Sequence, residues 1–222
     1  MKKSIKYLLL VVSILLLVGC SNKSSIEFKN EYEALNGKTN SSGKVHRTVE
    51  IQKNNPYEKV SSSKILEMIK NKETFYVYFG DPLCPWCRSV IEKGVEISKK
   101  NNVKKIYYVK IWDNEGVEVL RSKYVIGDDN KAQLVKKGTD DYYKLLEAFD
   151  SVLEEYTLNL SSGEKISVGE KRIYAPNFVY VEKGVAKRLV EGISDRQKDS
   201  REDLTKEMLK DEEKIFNEFF KK

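Results

Sequence analysis

Histidine and cysteine are scarce in this chain, and their scarcity removes whole classes of chemistry. His46 is the only histidine, and Cys20, Cys84 and Cys87 are the only cysteines, among 222 residues. Zinc commonly takes about four ligands from these two residue types. Nothing here stands at ligand spacing, so no metal centre is expected. A Cys–His hydrolase would need His46 beside Cys84 and would leave Cys87 without a role. A lone histidine between Lys44 and Arg47 reads more simply as solvated. One-sided charge is missing too: 40 Lys and Arg are interspersed with 34 Asp and Glu. With no basic stripe, nucleic acid is not an expected partner. Nothing in the composition requires a cofactor. The one long apolar run, Tyr7 to Val18, falls short of the roughly 20 residues of a spanning helix.

That run suits the apolar region of a secretory signal, because Lys2, Lys3 and Lys6 precede it. It closes on Leu17-Val18-Gly19-Cys20, which resembles a bacterial lipobox, the pattern cut before its cysteine once that thiol is lipidated. The resemblance implies a leader over residues 1–19 and a lipid anchor on Cys20, holding the protein to the extracytoplasmic face of the cell membrane. The lysine-, asparagine- and isoleucine-rich composition matches a low-GC Gram-positive lipoprotein. Loss of the leader would lower the formal charge of +6 by its three lysines. A lipidated Cys20 is a thioether and cannot pair, so the odd cysteine count resolves to Cys84 and Cys87.

Residues 20–44, rich in Ser, Asn, Lys and Gly, read as a tether, with a short helical possibility around Glu27 to Leu35. The domain is expected over 45–222. Val45 to Ile51 alternates as a first strand would, closed by the Asn54-Asn55-Pro56 turn. Ser61 to Ser63 offer caps to a helix bearing Ile65, Leu66 and Ile69. Phe75 to Phe79 is apolar throughout, as a central strand is. A helix from the cysteines to about Lys100 and a strand over Lys104 to Trp112 follow. Residues 113–139 show no clear period and read as loop or a small insertion. Asp140 to Glu154 is amphipathic, with acidic residues in its first turn. Hairpins are expected around Ser161-Ser162-Gly163 and across Glu182-Lys183-Gly184, and a last helix over Arg201 to Phe220. The alternation implies an α/β fold, a central mixed sheet with helices on both faces.

The chemistry sits in FYVYFGDPLCPWCRSV, residues 75–90. A helix N-terminus presents unpaired N–H groups that favour a thiolate over a thiol. Cys84 falls at the N-cap and Pro85 at the first helical position, where its missing N–H costs nothing. About 90 residues later, Ala175-Pro176-Asn177-Phe178-Val179-Tyr180-Val181 opens another strand. At these two points, over roughly residues 45–221, the chain resembles the thioredoxin superfamily, with a longer stretch at 113–172 between the third strand and the strand after Pro176. The resemblance implies a cis Pro176 facing the dithiol and thiol–disulfide exchange on protein or peptide partners. In it Cys84 is an exposed nucleophile and Cys87 resolves the mixed disulfide. It further implies that Trp86, Ala175 and Pro176 contact the partner, and that a membrane thiol donor or oxidant recharges the pair. Trp86 serves equally well as a packing residue. One departure stands out: many thioredoxins hold a buried acid six residues before the first cysteine, and here that position is Tyr78. Asp81 reads as a turn residue, and Arg88 and Lys93 as surface charges.

Two alternatives remain beside this reading. A structural disulfide across two residues closes a tiny loop, contributes about 2 kcal/mol at most, and is opposed by strain. A thioredoxin-like lipoprotein can instead be a binding module, for export or bacteriocin handling, whose dithiol is only a docking contact.

Overall fold

The computed structural model describes residues 23–40, 42–113 and 115–221. The expected signal segment and Cys20 lie outside them. A five-stranded sheet forms the centre, ordered β1 (Tyr57–Lys59), β3 (Ile106–Lys110), β2 (Phe75–Gly80), β8 (Asn177–Glu182), β9 (Val185–Val190). The first three run parallel; β8 and β9 are antiparallel to their neighbours, so the sheet is mixed. Helices cover both faces. On one side lie α1 (residues 23–33), α3 (Pro85–Lys100) and α5 (Lys206–Phe220); on the other, α2 (Ser62–Lys70) and α4 (Asp140–Ala148).

Strand β2 shows why two cores form. Its side chains alternate, so Tyr76 and Tyr78 join the aromatic core beneath α3 and α5, while Val77 and Phe79 join the aliphatic core beneath α2 and α4. Register sets Tyr78 beside Tyr108 on β3 and Phe178 on β8. Their rings consequently stack across three strands, with centroids 5.6 and 4.5 Å from that of Tyr78. Phe216 of α5 meets Phe178 edge-on at 5.0 Å, and Phe219 and Phe220 complete the seal. Each such buried ring contributes about 2–3 kcal/mol of transfer free energy.

Several elements depart from expectation. Residues 23–40 are packed: Phe28 and Tyr32, one helical turn apart, are buried in the aromatic core, so a tether through residue 44 does not describe them. Val45 to Ile51 forms no strand. Val49 and Ile51 are buried, but their N–H groups donate to the side chains of Asn36 and Glu33 rather than to another strand. Within 113–139 lies a hairpin, β4 (Lys123–Ile126) with β5 (Ala132–Lys136), largely exposed and hence without a periodic apolar signal. The Ser161-Ser162-Gly163 hairpin forms as β6 (Glu155–Asn159) and β7 (Lys165–Lys171). With α4, these hairpins fill the insertion between β3 and β8. Helix α4 stops at Ala148 and α5 starts only at Lys206, capped by Thr205. Among the described residues no helix is long and apolar enough to cross a membrane.

Candidate active site

Cys84 caps α3. Its backbone is extended, Pro85 occupies the first helical turn, and the Cys87 N–H donates to the Cys84 sulfur at 3.4 Å. The Arg88 N–H donates to the Cys84 carbonyl, closing the first turn. On the other side the Cys84 thiol donates to the Ala175 carbonyl at 3.3 Å, and the Ala175–Pro176 bond is cis. The structure thus brings together Cys84, Cys87, Ala175 and Pro176, and both cysteines are free thiols. Trp86 is half-buried against the aromatic core. With Tyr174, Ala175 and Pro176 it lines a cleft of about 420 Å³ whose far wall carries Glu191 and Asp195.

The two thiols are not equivalent. The Cys84 thiol lies below its ordinary range, first because of its hydrogen bond with Cys87 and further through the N–H groups of Cys87 and Trp86 and the Arg121 charge, all against burial. Cys87 is held well above the ordinary range by burial and then by the neighbouring Cys84. Cys84 is only 4% exposed, so the expectation of an openly exposed nucleophile is corrected; Cys87 has no exposure. The arrangement allows one sulfur to ionise at the surface of the turn while the other waits beneath it.

Arg121 escaped sequence reading, and the surroundings of Arg88 and Tyr78 were not foreseen by it. Arg121 is buried, paired with Glu118 at 2.6 Å and lying over Trp112, and it places a cation near Cys84 from within the insertion. Arg88, expected at the surface, is fully buried. Its guanidinium donates to the carbonyls of Tyr32, Pro82 and Arg47 and to Asn36 Oδ1. No sequence signal marks a cation whose partners are carbonyls of distant segments. Tyr78 is fully buried in the same core cluster as Cys87 and, at 2.7 Å between hydroxyls, is hydrogen-bonded to Tyr32. Gly80 makes room for it: a Cβ there would lie 2.1 Å from the Tyr78 hydroxyl. The β2 alternation, which puts Tyr78 and Gly80 on one face, could have suggested this.

Asp81 is a turn residue, as expected, with its carboxylate accepting from Leu83 N–H at 2.9 Å and Trp112 N–H at 3.2 Å. It is also fully buried, and burial raises its pKa to about 6. Lys93 pairs with Glu96 on the helix surface. His46 is 7% exposed rather than solvated, and burial followed by the Arg88 charge lowers its pKa. It lines a separate cleft with Leu83 and Trp112, and among the described residues no hydrogen bond joins it to either cysteine. Among the described residues there is no cluster of three metal-ligating side chains. No protein-family model matches the sequence, and no curated protein sequence matches it either.

Proposed function

We propose that the protein is a thiol–disulfide oxidoreductase of thioredoxin-like fold, anchored through Cys20 on the extracytoplasmic face of the membrane and acting on protein or peptide disulfides. The observation that carries the reading is the asymmetry of the dithiol: a Cys84 thiol favoured as thiolate at a helix N-terminus, above a Cys87 thiol that burial keeps protonated. The sheet order, the insertion before β8 and the cis Pro176 opposite Cys84 support the fold assignment.

The chemistry follows in two exchanges. The Cys84 thiolate attacks a partner disulfide, forming a Cys84 mixed disulfide and releasing one partner thiolate. Cys87 then attacks Cys84, its proton passes to the second departing sulfur, and the Cys84–Cys87 disulfide remains. An extended partner segment lies along Trp86, Ala175 and Pro176 in the 420 Å³ cleft. A membrane thiol donor then returns the pair to the dithiol, and the direction in the cell is reduction or isomerisation.

Insulin reduction and the refolding of a scrambled disulfide protein test this. Cys84→Ser should abolish both activities, and a variant as active as wild type would remove the proposal. The 4% exposure of Cys84 favours a second reading, a binding module that holds a partner at the cleft. Partner binding unaffected by Cys84→Ser, with no exchange in wild type, would select it.

A further inference from the structure

Cys87 belongs to a buried cluster rich in aromatic rings, among them Phe28, Tyr32, Tyr57, Tyr78, Tyr108 and Phe178. Within it the hydroxyls of Tyr57 and Tyr108 have no partner among the described residues, whereas those of Tyr78 and Tyr32 are hydrogen-bonded at 2.7 Å. Tyr78 and Cys87 are both fully buried in this cluster, close enough for each to shift the other's titration. Two phenols joined to each other in the cluster that holds a buried thiol are not needed for packing, since phenylalanine would fill the same space.

We propose that Tyr78 and Tyr32 form a two-hydroxyl chain that donates to the Cys87 sulfur as it becomes a thiolate, which makes helix α1 a working part of the redox centre. This rests on the oxidoreductase reading above. Tyr78 occupies the position where the resemblance implies an acid. Burial, followed by the neighbouring Cys87, lifts its phenol well above the ordinary range, so it remains an O–H donor and does not serve as a base. When Cys87 resolves a mixed disulfide, its S–H bond breaks, a sulfur–sulfur bond to Cys84 forms, and the Cys84–partner bond breaks. The electron pair leaves on the partner sulfur, which takes the proton, and no further reactant is needed. Through this step Tyr78 O–H donates to the developing sulfur anion, and Tyr32 O–H donates to Tyr78. Either hydroxyl can be the donor in the pair, so the chain can turn toward Cys87 as charge appears. Tyr32 is fixed for the role from its own side: Arg88, one residue after Cys87, donates to its carbonyl at 2.8 Å. Tyr78 is the residue that donates to the reacting sulfur, and Tyr32 is a positioning residue.

Reaction of the reduced full chain with excess dithionitrobenzoate separates the steps. A bimolecular phase loads Cys84, and a first-order phase releases the second coloured thiolate as Cys87 attacks. Tyr78→Phe should slow the first-order phase by roughly tenfold or more, the effect of one lost hydrogen bond to a charged group, and move its pH profile to higher pH. Tyr32→Phe should act in the same direction with a smaller effect. The double variant should be no slower than Tyr78→Phe alone, because Tyr32 works through Tyr78. Circular dichroism and unfolding midpoints check the fold, and if Tyr78→Phe does not fold, Tyr32→Phe carries the same test. Unchanged first-order rates and pH profiles in both variants overturn the chain, as does a double variant whose losses multiply. A wild-type protein without a first-order phase overturns the oxidoreductase reading and this inference with it.

Discussion

Arg88→Met tests how the N-terminal segment is held. The Arg88 guanidinium is fully buried, with no carboxylate partner among the described residues, and its hydrogen bonds run to acceptors on Tyr32, Asn36, Arg47 and Pro82. Methionine keeps most of the length and volume and removes the charge. The relieved desolvation of a buried cation favours the variant by several kcal/mol. Against it, the Tyr32 and Arg47 carbonyls and the Asn36 amide each lose a donor, at about 1–3 kcal/mol apiece, and the charge-assisted bonds go with them. Because those bonds anchor a segment of low sequence apolarity, the second effect should win by about 3 kcal/mol. For a domain of this size that lowers Tm by roughly 6–12 °C. Thermal unfolding by circular dichroism reads the change, and hydrogen exchange locates it: the amides of Val49 and Ile51, bonded to side chains of α1 and the loop after it, should lose protection before those of β2. A variant within about 0.5 kcal/mol of wild type, with Val49 and Ile51 still protected, would refute the claim that Arg88 holds this segment.

Three further outcomes follow from the same geometry. Gly80→Ala should push the Tyr78 ring from its seat, slowing the step performed by Cys87 and lowering the unfolding midpoint; an alanine variant with wild-type kinetics would show that Tyr78 has another resting place. Iodoacetamide should alkylate Cys84 with a pH midpoint below that of an ordinary thiol while Cys87 stays unmodified until the protein unfolds; peptide mass analysis reads both, and equal labelling would contradict the asymmetry. Glu212 on α5 is fully buried, neither carboxyl oxygen has a partner among the described residues, and burial raises its pKa to about 8 against the opposing charges of Lys93 and Arg47. Since the folded value exceeds the unfolded one, its contribution to stability is complete below about pH 4.5 and is lost as pH rises through about 8, on the order of 5 kcal/mol in all. Glu212→Gln should flatten that decline in urea unfolding, and an unchanged slope between those pH values would refute it.

How far the sequence was legible varied with the range of the interactions involved. The cap at Cys84, Pro85 after it, the β2 strand and the strand after Pro176 depend on residues within a few positions, and each formed where the local pattern put it. Helix α1 did not read as core, because Phe28 and Tyr32 are two apolar positions in a polar stretch and their partners lie on β1, β2 and β3. Val45 to Ile51 carries the alternation of a strand, yet the side chains of Glu33 and Asn36 took its N–H groups and no neighbouring strand did. Arg88 looked like a surface charge because nothing adjacent shows that four carbonyl or amide oxygens from distant segments surround it. The pair of cysteines itself was legible; the burial of Arg121 near it and the Tyr78–Tyr32 hydroxyl pair required the tertiary structure.

Equilibration of the protein with glutathione buffers decides whether Cys84 and Cys87 form a working redox couple. Tryptophan fluorescence follows the transition, and mass analysis identifies the disulfide. A single two-electron transition between the Cys84–Cys87 disulfide and the dithiol is predicted, at a potential within the roughly −270 to −120 mV spanned by thioredoxin and strongly oxidising relatives, toward the reducing end. Thiols that never equilibrate, or that stop as separate glutathione adducts, would contradict the oxidoreductase function.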